Sequence, residues 1–389
     1  MKVLISIDSF KGSISSIKGS EAIASGIQEV YKDAEITTLP LADGGEGTVE
    51  ALVHALSGKR VEKVVTGPLH EKVNATYGIA NDGKTAMIEV ATACGLPLIP
   101  KGGLNPMKAT TYGVGELISD AIEKGCRHFI IGLGGSATND AGVGMLQALG
   151  YRFLDNQLQE VGLGGKALAG IDRIVVDDVN PELSECTFQV ACDVNNLLYG
   201  KEGAAYIFAP QKGATEEMVV KLDQGLSHFA SIVSDQMGID IQNRKGAGAA
   251  GGLGAAFSGF LQGELQSGVD LVLDVIGMEE QLRDVDFVIT GEGMLDSQTS
   301  MGKAPIGIAQ MAAKYDIPVI ALAGSVNQEG FNLNEKGLTS CFSIIPSPMS
   351  LDEAMNTAVT FNNLRFTASQ LFRLIRSVGG QRDRFLVPS

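Results

Sequence analysis

The sequence predicts an α/β protein in which both chain ends form one doubly wound parallel-sheet domain and the middle forms an inserted second α/β domain. Strands alternate with helices near both ends of the chain, as they do in parallel sheets. The segment between them has shorter strands with alternating apolar residues, a pattern that favours antiparallel pairing. The length of 389 residues exceeds one typical hydrophobic core, so two domains are expected.

The first pattern begins at the amino terminus. Apolar runs predict strands over residues 3–7 and 36–41, and helical periodicity predicts helices over 16–31 and up to about residue 56. Each strand ends in a short polar segment, which is where open α/β sheets bind their ligands. The two polar segments are Asp8-Ser9-Phe10-Lys11-Gly12-Ser13 and Asp43-Gly44-Gly45-Glu46-Gly47-Thr48.

The middle of the chain is organised differently. Strands are predicted over 61–65, 72–79 and 85–90, a helix over 112–124, and a buried strand over 129–133. The buried strand leads into a glycine-rich turn over 134–144 and then into a helix.

The carboxyl-terminal part returns to the first pattern. The predicted elements are a strand over 286–290, a helix over 303–314, strands over 317–322 and 341–345, and a largely helical stretch over 351–375. The expected domains are therefore 1–64 with 284–377 for the discontinuous one and 65–283 for the insertion, followed by a loose tail over 378–389.

Composition and charge narrow the class of partner. A net charge of −15 without a basic stripe argues against nucleic acids and anionic membranes. Five scattered cysteines without a CxxC spacing or a signal peptide predict reduced thiols in a cytoplasmic protein. No apolar run reaches the roughly 18 residues that a membrane span needs. Four isolated histidines disfavour a histidine-ligated metal.

The glycine-rich turn over 134–144 is the strongest functional signal. Its glycines allow a backbone to approach an anion, and its small polar side chains can donate hydrogen bonds to it. It lacks the lysine of a Walker A loop and the acid of a dinucleotide fingerprint. A structural left-handed turn is the alternative. The candidate phosphate- or substrate-binding residues are Gly134, Gly135, Ser136, Thr138, Asn139 and Asp140.

Acids follow two of the other predicted strands, those over 36–41 and 286–290. Asp43 and Glu46 lie in one glycine-rich segment, and Glu292 and Asp296 follow the strand over 286–290. Carboxylates in such segments are candidate ligands for Mg²⁺ or for a substrate hydroxyl. An ordinary turn or a helix cap is the alternative in each case.

The segment over 8–13 offers both a base and a cation. Asp8 and Lys11 are candidate catalytic residues, the first to accept a proton and the second to neutralise an anion. Ser9 and Ser13 are candidate phosphate-binding residues, and Lys303 is a further candidate cation for phosphate.

A last group of candidates follows the cysteine at 192. Asp193 is a candidate base that orients a hydroxyl nucleophile, and Asn195 is a candidate substrate-binding amide, although an Asx-turn fits both. Lys201 and Lys212 are nearby cations that are expected to be solvated. The very small residues over 246–254 fit either a nucleotide approach surface or a tight helix crossing.

Several long motifs, in this order, resemble the bacterial glycerate kinase family of the glycerate 2-kinase type. The motifs are DSFKGS at 8–13, ADGGEGT at 42–48, TGPL at 66–69, GLGGSATNDAGVG at 132–144, CDVNN at 192–196, FAPQKGA at 208–214 and TGEGMLDSQTSMGKAP at 290–305. The resemblance covers roughly residues 1–377.

The resemblance implies a fold and an activity. It implies a flavodoxin-like domain with an inserted domain similar to a restriction-endonuclease core. It also implies ATP- and Mg²⁺-dependent phosphorylation of D-glycerate in an interdomain cleft, with 2-phosphoglycerate favoured over 3-phosphoglycerate, by a monomer or homodimer. A kinase for another small hydroxy acid and a non-catalytic glycerate or nucleotide sensor remain the alternatives.

Overall fold

The computed structural model describes residues 1–300 and 303–379. Within them the chain forms two compact units. The first unit contains Met1–Asp43 and the chain from Val272 onward, and the second contains Gly44–Leu271. The domain boundaries predicted after residues 64 and 283 stay a prediction. The two compact units divide earlier in the chain, after Asp43 and after Leu271.

The elements have the following bounds. The strands are β1 (Lys2–Ile7), β2 (Glu35–Thr38), β3 (Lys59–Thr66), β4 (Lys72–Ile79), β5 (Thr85–Glu89), β6 (His128–Gly132), β7 (Arg152–Leu154), β8 (Arg173–Val175), β9 (Thr187–Ala191), β10 (Glu264–Gln266), β11 (Phe287–Leu295), β12 (Val319–Val326) and β13 (Ser340–Ser343). The α-helices are α1 (Ser16–Gln28), α2 (Thr48–Ala55), α3 (Ala91–Cys94), α4 (Tyr112–Glu123), α5 (Val143–Ala148), α6 (Ala204–Phe208), α7 (Glu216–Met237), α8 (Leu253–Phe260), α9 (Gly268–Val275), α10 (Met278–Leu282), α11 (Ser297–Ser300), α12 (Ala304–Ala313), α13 (Leu351–Ala354) and α14 (Thr357–Gly379). Short 3₁₀ helices span Leu96–Leu98, Gly165–Gly170, Pro181–Glu185, Pro210–Lys212, Ala249–Gly251 and Gln328–Lys336. No helix in the described part of the chain is long and apolar enough to cross a membrane.

The first unit is built on a parallel sheet. Its described strands follow the order β2-β1-β11-β12-β13. Apolar side chains of α1 and α14 pack on one face of this sheet, around Ile5, Ile23 and Phe372. Helix α12 packs against β11 and β12. Because neighbouring strands are parallel, their carboxyl ends meet at one edge of the sheet.

Strand β11 is longer than the sequence predicts. The apolar run ends at residue 290, but the strand continues to Leu295. Its partners on β12 explain the extension, since Glu292 pairs with Ala323 and Leu295 with Val326. The expectation of a loop directly after residue 290 is therefore wrong, and Glu292 is held on an extended strand.

The last helix is also longer than predicted. Helix α14 continues to Gly379, so residues 378 and 379 belong to it rather than to a loose tail. The remainder of the predicted tail, 380–389, lies outside the described residues.

The second unit contains a mixed sheet. Its described strands follow the order β10-β9-β6-β5-β4-β3, in which β5, β6, β9 and β10 are parallel. Strands β3 and β4 pair antiparallel, as their alternating pattern predicts. Strands β7 and β8 form a separate antiparallel pair. Helix α2 packs on β4 and β5 and belongs to this unit, although it precedes the predicted boundary at residue 64.

Candidate active site

Three carboxylates lie at the carboxyl edge of the first unit's sheet. Asp8 follows β1, Asp43 lies beyond β2, and Glu292 is on β11. Strand β1 neighbours both other strands, and the backbone N–H of Asp8 donates to the carbonyl of Gly291 at 2.8 Å. The topology therefore brings together acids that are distant in sequence. We call Asp8, Asp43 and Glu292 the carboxylate cluster.

Asp8 is a buried member of the carboxylate cluster, and its pKa is strongly raised. The residue is 5% exposed. Burial raises the pKa of Asp8 to about 7, and the negative charge of Asp43 adds to the increase. The N–H of Ser9, which donates to Oδ1 at 2.6 Å, and the charge of Lys11 offset part of it. A carboxyl group with a pKa near neutrality can accept and release a proton at physiological pH.

Two lysines reach the carboxylate cluster. The Nζ of Lys11 donates to Oδ2 of Asp43 at 2.8 Å. Burial by itself lowers the pKa of Lys11, but the hydrogen bond and charge of Asp43 outweigh it, so the pKa is raised and the lysine is charged. The Nζ of Lys303, at the start of α12, lies 3.9 Å from Oε2 of Glu292. The acids and lysines predicted at these strand ends therefore lie side by side.

Glu292 is held in place by Thr299, which the sequence analysis did not single out. The hydroxyl of Thr299 donates to Oε1 of Glu292 at 2.6 Å, and its N–H donates to Oδ1 of Asp296 at 3.2 Å. Burial raises the pKa of Glu292, while Thr299 and then Lys303 oppose the increase. One threonine thus organises both predicted acids of this segment. Its only signal in the sequence is its position between Asp296 and Lys303.

The carboxylate cluster fits a Mg²⁺ ion that is shared with phosphate groups. In the part of the chain that the structure describes, no three acidic, histidine or cysteine side chains converge closely enough to hold a metal by themselves. Mg²⁺ bound with nucleotide phosphates needs only one or two carboxylates. Asp43 and Glu292 offer such oxygens, and a cation there would relieve the repulsion that contributes to the raised pKa of Asp8.

The glycine-rich turn over 134–144, which we call the glycine loop, follows β6 in the second unit. Glu89, Gly132 and Ala191 are register neighbours where β5, β6 and β9 end. A Cβ atom on Gly132 would lie 2.5 Å from the carbonyl oxygen of Gly44. Only glycine allows this approach, so the glycine-rich segment that precedes α2 lies against the start of the glycine loop.

Most polar side chains of the glycine loop are buried. Gly134 and Gly135 are exposed, whereas the polar residues after them are buried: Ser136, Thr138, Asn139 and Asp140. Asn139 is 0% exposed, and neither atom of its side-chain amide has a hydrogen-bond partner among the described residues. Buried amides without partners are rare in proteins. This one is free to bind a ligand or a water molecule.

Asp140 anchors the glycine loop to α4. Its Oδ2 accepts from the N–H of Thr111 at 2.8 Å and from the Thr111 hydroxyl at 3.0 Å, and its Oδ1 accepts from the N–H of Gly142 at 3.2 Å. Burial raises the pKa of Asp140, and these hydrogen bonds oppose the increase. Because its oxygens are occupied by the protein, this geometry supports an anchoring role rather than the predicted ligand-binding one.

Lys212 is a residue of this region that the sequence analysis misjudged. It is 2% exposed, and its Nζ donates to Oγ of Ser136 at 3.0 Å and to the carbonyl of Thr138 at 2.7 Å. Burial lowers its pKa to about 8. The expectation of a solvated lysine is wrong for Lys212 and right for Lys201, which is exposed. The only signal for Lys212 was its place in the motif over 208–214.

Glu89 is a second residue that the sequence analysis missed. Its Oε1 accepts from the N–H of Val49 at 2.8 Å, and the N–H groups of Gly47 and Thr48 also stabilise its carboxylate. Burial raises the pKa of Glu89 against these bonds. The carboxylate thus fixes the first turn of α2. An acid at the end of an alternating strand carries no such signal in the sequence.

Some predicted residues make other contacts. Ser13 shares a hydrogen bond with the hydroxyl of Thr360 on α14. Asp193 is exposed, and its Oδ1 accepts from the N–H of Gly268 at 2.9 Å, at the start of α9. Two further candidates are exposed: Glu46 and Asn195.

The stretch over 246–254 packs closely against the glycine loop. Gly251 has a φ of +71°, and a Cβ atom there would overlap the carbonyl oxygen of Thr138. The N–H of Ala141 donates to the carbonyl of Gly251 at 3.0 Å. The stretch therefore packs closely on a loop, whereas the tight crossing suggested by the sequence was one between helices.

Known proteins resemble this chain over nearly its whole length. A sequence model of the Glycerate kinase family matches residues 3–376. A glycerate kinase of Bacillus subtilis (strain 168) is 47% identical over 361 residues, which cover 93% of this chain and 94% of that protein. A glycerate 2-kinase of Escherichia coli (strain K12) is 47% identical over 358 residues, or 92% and 94% of the two chains.

A solved structure agrees with these matches. A crystal structure from Salmonella typhimurium LT2, assigned as a glycerate kinase 2, superposes with a TM-score of 0.90 at 44% identity and covers 98% of this chain and 99% of that one. The resemblance drawn from the motifs is thereby confirmed.

Proposed function

This chain belongs to the glycerate kinase family, and on that premise we propose that it transfers the γ-phosphoryl group of ATP to a hydroxyl of D-glycerate. The observation that carries the proposal is the carboxylate cluster, in which the buried Asp8 stands beside Asp43 and the charged Lys11. Phosphoryl transfer requires a group that orients the hydroxyl and charges that neutralise the phosphates. This edge of the sheet supplies both.

We propose the 2-hydroxyl as the acceptor. The Escherichia coli relative, at 47% identity, is a glycerate 2-kinase. The product would then be 2-phosphoglycerate.

Asp8 is the proposed base. Its carboxylate would accept the proton of the attacking hydroxyl while the oxygen forms a bond to the γ-phosphorus and the bond from that phosphorus to the ADP oxygen breaks. The pKa of about 7 suits a group that takes up a proton in the reaction and releases it afterwards. The backbone N–H of Ser9 keeps Oδ1 oriented.

Asp193 is the weaker candidate for the base. Its carboxylate accepts a hydrogen bond from the backbone at the start of α9, and it is exposed to water. That environment supports a role in holding the end of β9 in place. Asp8, in contrast, is nearly removed from water.

The lysines and the other acids would balance charge. Lys11 and Lys303 would neutralise the phosphate oxygens. Asp43 and Glu292 would hold Mg²⁺, with Asp296 behind them, and the ion would screen the charge of the phosphates. Thr299 keeps Glu292 oriented for this role.

The glycine loop of the second unit would bind an anionic group of the substrates. Exposed Gly134 and Gly135 let a ligand approach the backbone, and Ser136 and Asn139 of the same loop offer hydrogen-bond donors. The unpartnered amide of Asn139 supports this assignment, because an anionic oxygen could accept a hydrogen bond from its Nδ2.

The strand order of the first unit supports the predicted flavodoxin-like description. Counted within the first unit, the sheet order is 2-1-3-4-5, which is the flavodoxin-like order. We propose that description for the first unit, a restriction-endonuclease-like core for the second, domain boundaries near residues 64 and 283, and a cytoplasmic monomer or homodimer.

Steady-state turnover tests the proposed function. The purified protein is incubated with ATP and Mg²⁺, and ADP formation is followed with D-glycerate, L-lactate or tartronate as the acceptor. We expect ADP formation that depends on D-glycerate and is at least tenfold slower with the other two acids. ADP formation with another acid alone would indicate a different hydroxy-acid kinase. Glycerate binding in calorimetry without any ADP formation would indicate a sensor.

A further inference from the structure

Lys212 is a buried cation whose hydrogen bonds go to neutral groups. Its Nζ donates to the hydroxyl of Ser136 and to the carbonyl of Thr138. The opposite charge that acts on it is Asp140, whose oxygens already accept hydrogen bonds from Thr111. Buried charges in proteins are normally paired, because leaving water is costly for them. A bound anion would supply the missing partner.

The backbone around Lys212 keeps its side chain in the interior. Lys212 ends the 3₁₀ helix Pro210–Lys212, and Gly213 follows with a φ of +89°. A Cβ atom on Gly213 would lie 2.6 Å from the carbonyl oxygen of Leu104. Any residue other than glycine at position 213 would therefore be strained. A lysine exposed on the surface would not require this constrained turn.

We propose that Lys212 is a positioning residue that polarises the hydroxyl of Ser136. This hydroxyl then donates a stronger hydrogen bond to an anionic oxygen of the substrate. Because Nζ donates to Oγ, the hydroxyl hydrogen of Ser136 is left to donate to a carboxylate or phosphate oxygen beside the exposed Gly134 and Gly135. A hydroxyl that accepts from an ammonium group is a stronger donor itself. The inference rests on the proposed function, and the anion is either the carboxylate of glycerate or a phosphate of the nucleotide.

A purely structural lysine would need only part of this arrangement. Holding the carbonyl of Thr138 requires a hydrogen-bond donor but no charge. The glutamine variant Lys212→Gln keeps a donor and loses the charge, whereas Lys212→Met loses both. The two variants therefore separate a structural role from an electrostatic one.

Steady-state kinetics of a small variant set test the proposal. The set is Lys212→Met, Lys212→Gln, Ser136→Ala, the double variant Ser136→Ala/Lys212→Met, and the exposed-lysine control Lys201→Met. KM for D-glycerate, KM for ATP, kcat and the melting temperature are measured for each. We expect both Lys212 variants and Ser136→Ala to raise the same KM at least tenfold, with kcat changed less than threefold.

The double variant tests whether Lys212 acts through Ser136. We expect its KM to match that of Lys212→Met within twofold, because the two residues act in series. An increase in KM for glycerate identifies the carboxylate as the anion, and an increase in KM for ATP identifies a phosphate. Three results would each overturn the proposal. They are wild-type KM values in Lys212→Gln, a KM increase in the double variant equal to the product of the two single-variant increases, and unchanged KM values in all variants.

Wild-type binding decides the question if the Lys212 variants do not fold. The affinity for D-glycerate and for ADP is measured by calorimetry from pH 7 to pH 9.5. The groups that face Lys212 are Asp140 and Cys94, and burial raises the pKa of the Cys94 thiol to about 12, so that thiol stays neutral. We expect the affinity for one ligand to fall as the pH passes about 8, and this fall to be absent in Ser136→Ala.

Binding and turnover of the wild-type protein together distinguish failure of this inference from failure of the proposed function. A flat wild-type profile for both ligands would overturn the role of Lys212. Wild-type turnover is measured first: no glycerate-dependent ADP formation would overturn the proposed function, whereas normal turnover with unaffected variants would overturn only this inference.

Discussion

Asp8 follows a strand that is buried from Val3 to Ile7 and is nearly removed from water itself, and the charges of Asp43, beyond β2, and Glu292, on β11, act on it. Water would otherwise stabilise the charged form, so burial and the adjacent negative charge together raise the pKa to about 7. The carboxylate cluster thus carries a proton-accepting group adjusted to neutral pH. Two predictions follow from this single side chain.

The first prediction concerns turnover. Asp8→Asn keeps the size and the oxygen that accepts from Ser9 but cannot take up the proton, so we expect kcat to fall at least about a hundredfold. Asp193→Asn should lower kcat less than tenfold, and the exposed control Asp33→Asn should leave it unchanged. A larger loss in Asp193→Asn than in Asp8→Asn would reverse the assignment of the base.

The second prediction concerns stability against pH. Folding raises the pKa of Asp8 from 3.8 to about 7, so the folded state holds this proton more tightly than the unfolded chain. Asp8 therefore costs stability progressively as the pH rises from about 4 to about 7, and the full cost is present above pH 7. Asp8→Asn removes this cost.

Chemical denaturation of the wild type and of Asp8→Asn measures the stability cost of the ionised Asp8 carboxylate. Each pKa unit corresponds to about 1.4 kcal/mol, so we expect Asp8→Asn to raise the free energy of unfolding by about 2–4 kcal/mol at pH 8. The gain should shrink as the pH falls toward 5. A gain of equal size at pH 5 and pH 8 would show that ionisation of Asp8 is not its cause.

The sequence predicts some of these residues and not others, for a physical reason. Asp8, Lys11 and Asp43 follow apolar runs, and a residue just beyond a parallel strand lies at the ligand edge of the sheet whatever else surrounds it. The burial of Lys212 and Glu89 depends instead on which distant segments cover them. No local pattern records that, so both residues looked ordinary in the sequence.

At the scale of elements, the sequence predicts the type of most segments better than their ends. The apolar periodicity identifies β11, but Gly291-Glu292-Gly293 interrupts the apolar run, and the strand continues beyond it because β12 offers backbone partners as far as Val326. The same holds for α14, which continues to Gly379. Ends of elements are set by tertiary pairing rather than by propensity.

Three glycines outside the glycine loop offer a graded test of close packing at this scale. Gly251 combines a positive φ with no room for a Cβ atom, Gly47 has a positive φ of +93° with open space, and Gly162 has neither constraint. We expect alanine to cost about 3 kcal/mol of stability at Gly251, about 1 kcal/mol at Gly47 and close to zero at Gly162. Denaturant unfolding of the three variants measures the order.

Gly251→Ala should also weaken substrate binding, since the displaced carbonyl of Thr138 is a hydrogen-bond partner of Lys212. We expect a rise of the same KM that Lys212→Met raises. Equal stability of all three alanine variants would contradict the close packing seen around Gly251.

For the whole molecule, the alternation of strands and helices predicts the α/β class because parallel strands need crossover helices. The chain division is harder to predict. Helix α2 has the same amphipathic pattern whether it packs on the first sheet or on β4 and β5, so the sequence could not assign it to a unit. The order of strands in the first unit also depends on the late return of the chain from Val272 onward.

One measurement tests the central claim most directly: ³¹P NMR of the product formed from ATP, Mg²⁺ and D-glycerate by the purified protein. We predict a new phosphomonoester signal that is coupled to the single C2 proton, formed in step with ADP and formed at least about a hundredfold more slowly with Asp8→Asn. A signal coupled to two C3 protons would keep the kinase and contradict the 2-position. No glycerate-dependent phosphomonoester from the folded wild-type protein would contradict the account as a whole.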